Sequence, residues 1–298
     1  QMHSLKRLSL AINRACKSCT RRYLTSETAK DSEEPLTKDA VTTIGINREE
    51  KRNSLDHVAA EELAEELDKF ENDENSVVGV LHGVGGNFCA GYDLAELAKY
   101  DGGDESNLPH FVNLSKKPLI AALNGYTVGI GLELALMCDL RVMEKGATLG
   151  FLNRRFGIPI LCGGTVRLPA LIGYSRAIEV IITGRAVSSE DAFKWGLVHR
   201  HVEFGTGLGE AVKFAISLVK FPQNVLLADR ASVHNATFSA TQLEEAMQFE
   251  KDNSSHLLLE EGVKGAKRFV SEGVGRHGKF YHLTEKDNSI KELNNDLL

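Results

Sequence analysis

Residues 118–138, PLIAALNGYTVGIGLELALMC, are almost wholly apolar, and what interrupts them restricts what this chain can become. A membrane span is disfavoured by Asn124, Thr127 and Glu133, because a carboxylate at mid-bilayer costs ~2.5–3.5 kcal/mol or more. Gly125, Gly129 and Gly131 instead divide the run into a buried strand, a turn and a helix. Glu133 then lies on that helix in apolar surroundings. A buried acid costs roughly several kcal/mol unless it is paired, hydrogen-bonded or neutralised, so packing alone does not account for it.

The rest of the chain extends the pattern. The β-branched run AVTTIGIN starts a strand near Val41, and LDHVAAEELAEELDKFE sets Ala60, Leu63, Leu67 and Phe70 on one helical face. SVVGVLHGV follows as an unbroken apolar strand, and DLRVM as another after the helix that carries Glu133. Alternation of this kind implies a largely parallel, layered α/β core. From TVRLPALIG onward the signals turn helical, with Ser188 as the N-cap of SSEDAFKWGLV, and Gly262, Gly265, Gly273, Gly275 and Gly278 break up a charged tail.

At 298 residues and 42% apolar content the chain can bury a substantial core. Its net charge of -6 argues against non-specific nucleic-acid binding. That mean conceals an asymmetry. Lys6, Arg7, Arg14, Lys17, Arg21 and Arg22 meet no acid before Glu27, which leaves 29 basic against 41 acidic residues beyond them. With Leu5, Leu8 and Ile12 sketching a short amphipathic helix, residues 1–26 read as a mitochondrial transit peptide, followed by an acidic linker over 27–39. A basic tail or surface-binding arm is the plainer alternative. Five cysteines argue against a disulfide framework, and Cys16-Lys17-Ser18-Cys19 has no second pair to make a metal site. No metal motif such as H-E-x-x-H occurs.

Two glycine-rich turns carry the chemistry. HGVGGNFCAGYDLAEL joins an apolar strand to a helix, but Phe88 stands where a dinucleotide fingerprint needs its third glycine. The turn at Gly129–Gly131 also follows an apolar strand and opens a helix. Two such turns can aim two backbone N–H groups at one oxygen and so stabilise a developing oxyanion, each donor being worth ~3 kcal/mol. Glu133, just beyond the second turn, would then be a general acid or base whose pKa is raised by desolvation. On physical grounds alone a helix-face glutamate paired with a lysine or arginine is as good a reading.

GGNFCAGYDL, PLIAALNGYTVGIGLELALMCDLRV, GGTVRLPALIG and AFKWGLV, in this order and spacing, resemble the enoyl-CoA hydratase/isomerase (crotonase) family over roughly Val41 to Leu298. INREEKRNSL is similar to the family's first strand and CoA-binding loop, with Glu49 where a proline is usual. The resemblance implies an α/β fold, a crotonase-like spiral of ββα repeats with a helical C-terminal region. It places the core at 40–222 and an oligomerisation region at 223–298, in a homotrimer or homohexamer. It implies an oxyanion hole formed by the backbone N–H groups of Tyr92 and Ile130, with Ala90, Gly91 and Gly129 binding substrate beside them. Glu133 matches the first catalytic glutamate of the hydratases. The implied activity is that of an enoyl-CoA hydratase-like lyase, which the basic leader assigns to the mitochondrial matrix. Its partner is an acyl-CoA or enoyl-CoA thioester, with no metal, no cofactor beyond the CoA of the substrate, no nucleic acid and no membrane span.

The family's second catalytic glutamate corresponds to Asn153, in TLGFLNRRFGIP. An amide can hold a water but cannot exchange a proton at neutral pH. A family variant with two arginines before Gly-Val-Pro also lacks that glutamate, and NRRFGIP is closer to it, although Cys162 replaces the aspartate common there before Gly-Gly-Thr. This departure keeps two other activities open: a double-bond isomerase or other lyase on a CoA thioester, and a catalytically weak CoA-binding protein. Cys162 itself reads as a small buried thiol rather than a nucleophile.

Overall fold

The β-branched run after the acidic linker does open a strand, and its neighbours in sequence become its neighbours in space. The structure, a computed structural model, describes residues 20–21, 40–99, 111 and 115–275. The first elements are β1 (Thr20–Arg21), β2 (Val41–Ile46), α1 (His57–Asn72), β3 (Val78–Gly83) and the short α2 (Leu94–Leu97). The apolar run that begins at Pro118 becomes β4 (Leu119–Leu123), β5 (Tyr126–Val128) and α3 (Ile130–Met137), and β6 (Leu140–Glu144) follows. Then come β7 (Thr148–Gly150), a 3-10 turn at Leu152–Phe156, α4 (Gly164–Ile172), α5 (Tyr174–Thr183), β8 (Val187–Ser188), α6 (Ser189–Lys194) and β9 (Arg200–Val202). Helices α7 (Gly207–Val219), α8 (Gln223–Phe238), α9 (Leu243–Leu257) and α10 (Val263–Glu272) complete the described chain.

The larger sheet has the order β1-β2-β3-β4-β6-β9 and is parallel throughout except for β1, which pairs antiparallel with β2. Apart from the dipeptide β1, the expected leader and linker lie outside the described residues. Both faces of this sheet are covered, which is why its strands read as unbroken apolar runs. Val78, Val80, Ile120, Ala122 and Val142 face Ala211 and Ala215 of α7. Ile44, Leu81, Ala121, Leu123 and Met143 belong to the larger core with Leu63, Leu67 and Phe70 of α1. Asp56 caps α1, accepting a hydrogen bond from the Ala59 amide at 2.8 Å.

A second sheet, β5-β7-β8, is built from strands of two or three residues. It pairs β5 in parallel with β7 and sets the turn before α3 against Gly150, whose carbonyl accepts from the Gly129 amide at 3.0 Å. Ser188 caps α6 as its sequence suggests, accepting from Asp191 N–H at 3.1 Å. Gly262 and Gly265 behave differently from expectation, whereas Gly273 and Gly275 do follow the last helix and Gly278 lies outside the described residues. Gly262 ends a π-helical turn that runs directly into α10, and Gly265 lies inside α10, so the helical stretch stops only at Gly273, with φ +75°. An interior glycine costs ~1 kcal/mol relative to alanine, too little to break a helix held on both sides. Among the described residues no single helix is long and apolar enough to cross a membrane, although the bent pair α7–α8 passes that test by length and composition.

Candidate active site

The segment Cys89–Asp93 is held on two sides. The Cys89 amide donates to Tyr126 O at 2.9 Å, and the Val128 amide returns a bond to Cys89 O at 3.0 Å. On the other side Ala90 N–H donates to Arg52 O (3.0 Å), Leu55 N–H to Gly91 O (2.8 Å) and Asp93 N–H to Leu55 O (2.8 Å). The loop making these bonds turns through Arg52 and Asn53, the non-glycine residues with positive φ among those described. Buried Asn53 pins it by donating to Val84 O at 2.9 Å and Asn87 O at 2.6 Å. Arg48 ties the loop to both helix caps, reaching Asp56 at 2.7 Å and Asp93 at 3.3 Å.

Gly91 (φ +102°) and Gly129 (φ +57°) bring the two turns together. A Cβ on Gly129 would lie 3.6 Å from the Gly91 Cα and 3.8 Å from Asn153 Cβ and Oδ1. The amides that follow these glycines are those of Tyr92 and Ile130. Ile130 is the first residue of α3, where an N–H has no acceptor within its own helix. Its branched side chain is buried in the core, so the residue in place of a glycine fits without a strained backbone. Asn153, on the 3-10 turn after β7, donates from Nδ2 to Ile158 O at 2.7 Å. Its buried Oδ1 has no hydrogen-bond partner.

Glu133 lies on the first turn of α3 and is 1% exposed. Its Oε1 accepts from the Cys162 amide at 2.6 Å and the Gly164 amide at 3.0 Å, so the carboxylate sits against the N-terminus of α4. Burial drives its pKa above the ordinary 4.5, and the Gly164, Cys162 and Leu161 amides, with the Arg167 charge, offset part of that rise. The carboxylate is thereby fixed in place by backbone donors yet remains easier to protonate than a surface glutamate.

Sequence patterns single out only the backbone of Tyr92, and Cys162 only as a packed thiol. The Cys162 side chain is buried, accepts from Phe111 N–H at 3.4 Å and shares a hydrogen bond with the Tyr92 hydroxyl, while its amide makes the shorter of the two bonds to Glu133 Oε1. The Tyr92 ring packs partly buried on the core with its hydroxyl against Cys162, and burial, reinforced by the nearby Cys162 and Glu133 groups, raises its pKa. The helix-opening glycines after Cys162 are the available signal for the Glu133 anchor. Nothing local in sequence signals the Tyr92 side chain. Arg154 and Arg155 are exposed, Arg154 donating to Ile181 O at 3.4 Å.

An α/β core of this topology, with two glycine turns meeting beside a buried glutamate, defines a class of thioester-handling enzymes, the crotonase fold. Comparison with known proteins makes the class specific. The family model for enoyl-CoA hydratase/isomerase matches residues 36–276. A probable mitochondrial enoyl-CoA hydratase of Dictyostelium discoideum is 33% identical over 78% of this chain and 82% of its own length. A probable peroxisomal enoyl-CoA hydratase 1 of Arabidopsis thaliana is 31% identical over 80% and 90%. The crystal structure of an enoyl-CoA hydratase from Mycobacterium marinum superposes with a TM-score of 0.72 at 30% identity, covering 78% of this chain and 92% of that one. The chain belongs to the enoyl-CoA hydratase/isomerase family and is an enoyl-CoA hydratase-like enzyme.

Proposed function

We propose that the protein adds water across the C2=C3 bond of an enoyl-CoA thioester in the mitochondrial matrix. The observation that carries this reading is the buried Glu133 carboxylate, anchored on the Cys162 and Gly164 amides one turn beyond the junction of Gly91 and Gly129. In this reading the thioester oxygen rests on the Tyr92 and Ile130 amides, and Ala90, Gly91 and Gly129 line the approach. Charge that develops on that oxygen as C2 gains electron density meets donors already in position, worth ~3 kcal/mol each. The second Glu133 oxygen takes the proton of the attacking water. The chemistry draws on no cofactor besides the CoA of the substrate.

Asn153 favours a second reading. With an acceptor that cannot exchange protons at the second-acid position, Glu133 alone could shuttle a proton between carbons, which is the reaction of a double-bond isomerase. Identification of the product from crotonyl-CoA decides between them. 3-Hydroxybutyryl-CoA supports hydration, whereas a moved double bond without added oxygen, from this or a longer enoyl-CoA, supports isomerisation.

The acid-free basic leader supports the matrix location. Assembly into a homotrimer or homohexamer through residues 223–298 is supported by Val233, Leu243, Met247, Phe269 and Val270, large apolar side chains left exposed on α8, α9 and α10.

A further inference from the structure

Glu133, Tyr92 and Cys162 form one connected group. The Cys162 amide donates to Glu133, and the Cys162 thiol shares a hydrogen bond with the Tyr92 hydroxyl. Tyr92 is also the residue whose amide, in the proposed reading, holds the thioester oxygen. In that reading its side chain leaves the backbone beside C1 of the substrate, and its contact with Cys162, whose amide holds Glu133, brings the hydroxyl toward the carboxylate that acts at C2 and C3. No second carboxylate stands there among the described residues, and Asn153 supplies only an acceptor, its Nδ2 being spent on Ile158 O.

We propose that the Tyr92 hydroxyl is a catalytic residue of this enzyme, the proton donor to C2 that works with Glu133 in place of a second acid. The inference rests on the hydratase reading and extends it. As the water oxygen bonds to C3, Glu133 takes one water proton and the C2=C3 electron pair moves onto C2, delocalised to the thioester oxygen. C2 then takes the Tyr92 hydroxyl proton. The phenolate left behind recovers a proton from the Glu133 carboxylic acid through a water of the site. One water has been added and both side chains return to their starting states, so no further reactant is needed. Two features of the resting site suit this role. A thiol is a weak hydrogen-bonding partner, so turning the hydroxyl from Cys162 toward C2 sacrifices little. Burial also keeps the phenol protonated throughout the working pH range.

The test uses the full chain with Tyr92→Phe and Tyr92→Leu, two variants that keep the amide and lose the hydroxyl, so that a folding failure in one leaves the other. Thermal unfolding checks each. Two rates are read: crotonyl-CoA hydration, and exchange of the C2 protons of butyryl-CoA in deuterated water followed by NMR, which needs no water addition. We expect both rates to fall at least tenfold in the folded variants, with KM for crotonyl-CoA in Tyr92→Phe within about twofold of wild type. A Tyr92→Phe protein whose exchange and kcat stay within twofold of wild type overturns the assignment of Tyr92 and leaves the hydratase reading standing. A raised KM at unchanged kcat likewise overturns it, since the ring would then only shape the pocket. A wild type that binds crotonyl-CoA but neither hydrates nor exchanges overturns the hydratase reading, and this inference with it.

Discussion

Glu133 is held between opposing effects. Burial raises its pKa above 4.5, while the amides of Gly164, Cys162 and Leu161 and the charge of Arg167 pull it back without cancelling the rise. A base must be ionised, so the acidic limb of the kcat/KM profile should have its midpoint above 4.5, and a midpoint at or below it would exclude Glu133 as the titrating group. The same shift has a stability consequence of defined sign. A carboxylate whose folded pKa is raised weakens the fold as pH climbs from the unfolded value through the folded one, and below the unfolded value it costs nothing. Glu133→Gln should therefore raise the unfolding temperature at pH 7 relative to wild type, with the gain shrinking toward pH 4, as thermal scans at both pH values would show. Asn153→Glu tests the other side of the site. If its carboxyl meets the water, crotonyl-CoA hydration should rise at least tenfold, about 1.4 kcal/mol, with a steeper pH dependence from two coupled acids. A folded, substrate-binding variant with no gain would move the isomerase reading ahead. Of these residues, Glu133 is legible in the sequence because an acid in an apolar run demands a reason. The Tyr92 hydroxyl is not, because an aromatic residue after a glycine looks like core, and its partner Cys162 is remote along the chain.

Elements with a full period to display are legible from the order of residues alone. Helix α1 shows its buried face in Ala60, Leu63, Leu67 and Phe70, and the strands buried on both sides show as unbroken runs at β3 and β4. The small sheet is not legible in this way, since β5, β7 and β8 are too short to establish alternation. Yet that sheet fixes Gly129 against Gly150, so part of the site's scaffold is hidden with it. The caps and glycines yield two measurable consequences. Ser188→Ala removes the acceptor for the Asp191 amide and should cost ~1 kcal/mol in denaturant unfolding with kcat unchanged. Gly265→Ala places a methyl where nothing lies within 4 Å, inside α10, and should stabilise the fold by ~0.5–1 kcal/mol. Destabilisation there would mean that another subunit occupies the space.

At the scale of the whole molecule, the larger sheet gives a rigid base and the smaller one positions the turn that opens α3, with α4 closing on Glu133 from the far side. The Cys162 and Gly164 amides at α4 hold the Glu133 carboxylate, and in the proposed reading the Tyr92 amide after β3 and the Ile130 amide after β5 converge on the thioester oxygen near it. Light scattering on the protein should give a mass three or six times that of the chain, and a stable monomer would remove the proposed role of residues 223–298. The central claim is that this convergence makes Glu133 the acid/base of turnover on an enoyl-CoA thioester. It is tested most directly by kcat for crotonyl-CoA in wild type and Glu133→Gln, with thioester binding measured in parallel. The account predicts a fall of ~10²–10⁴ in kcat with affinity nearly unchanged. Equal turnover by the two proteins would contradict it and make the carboxylate structural.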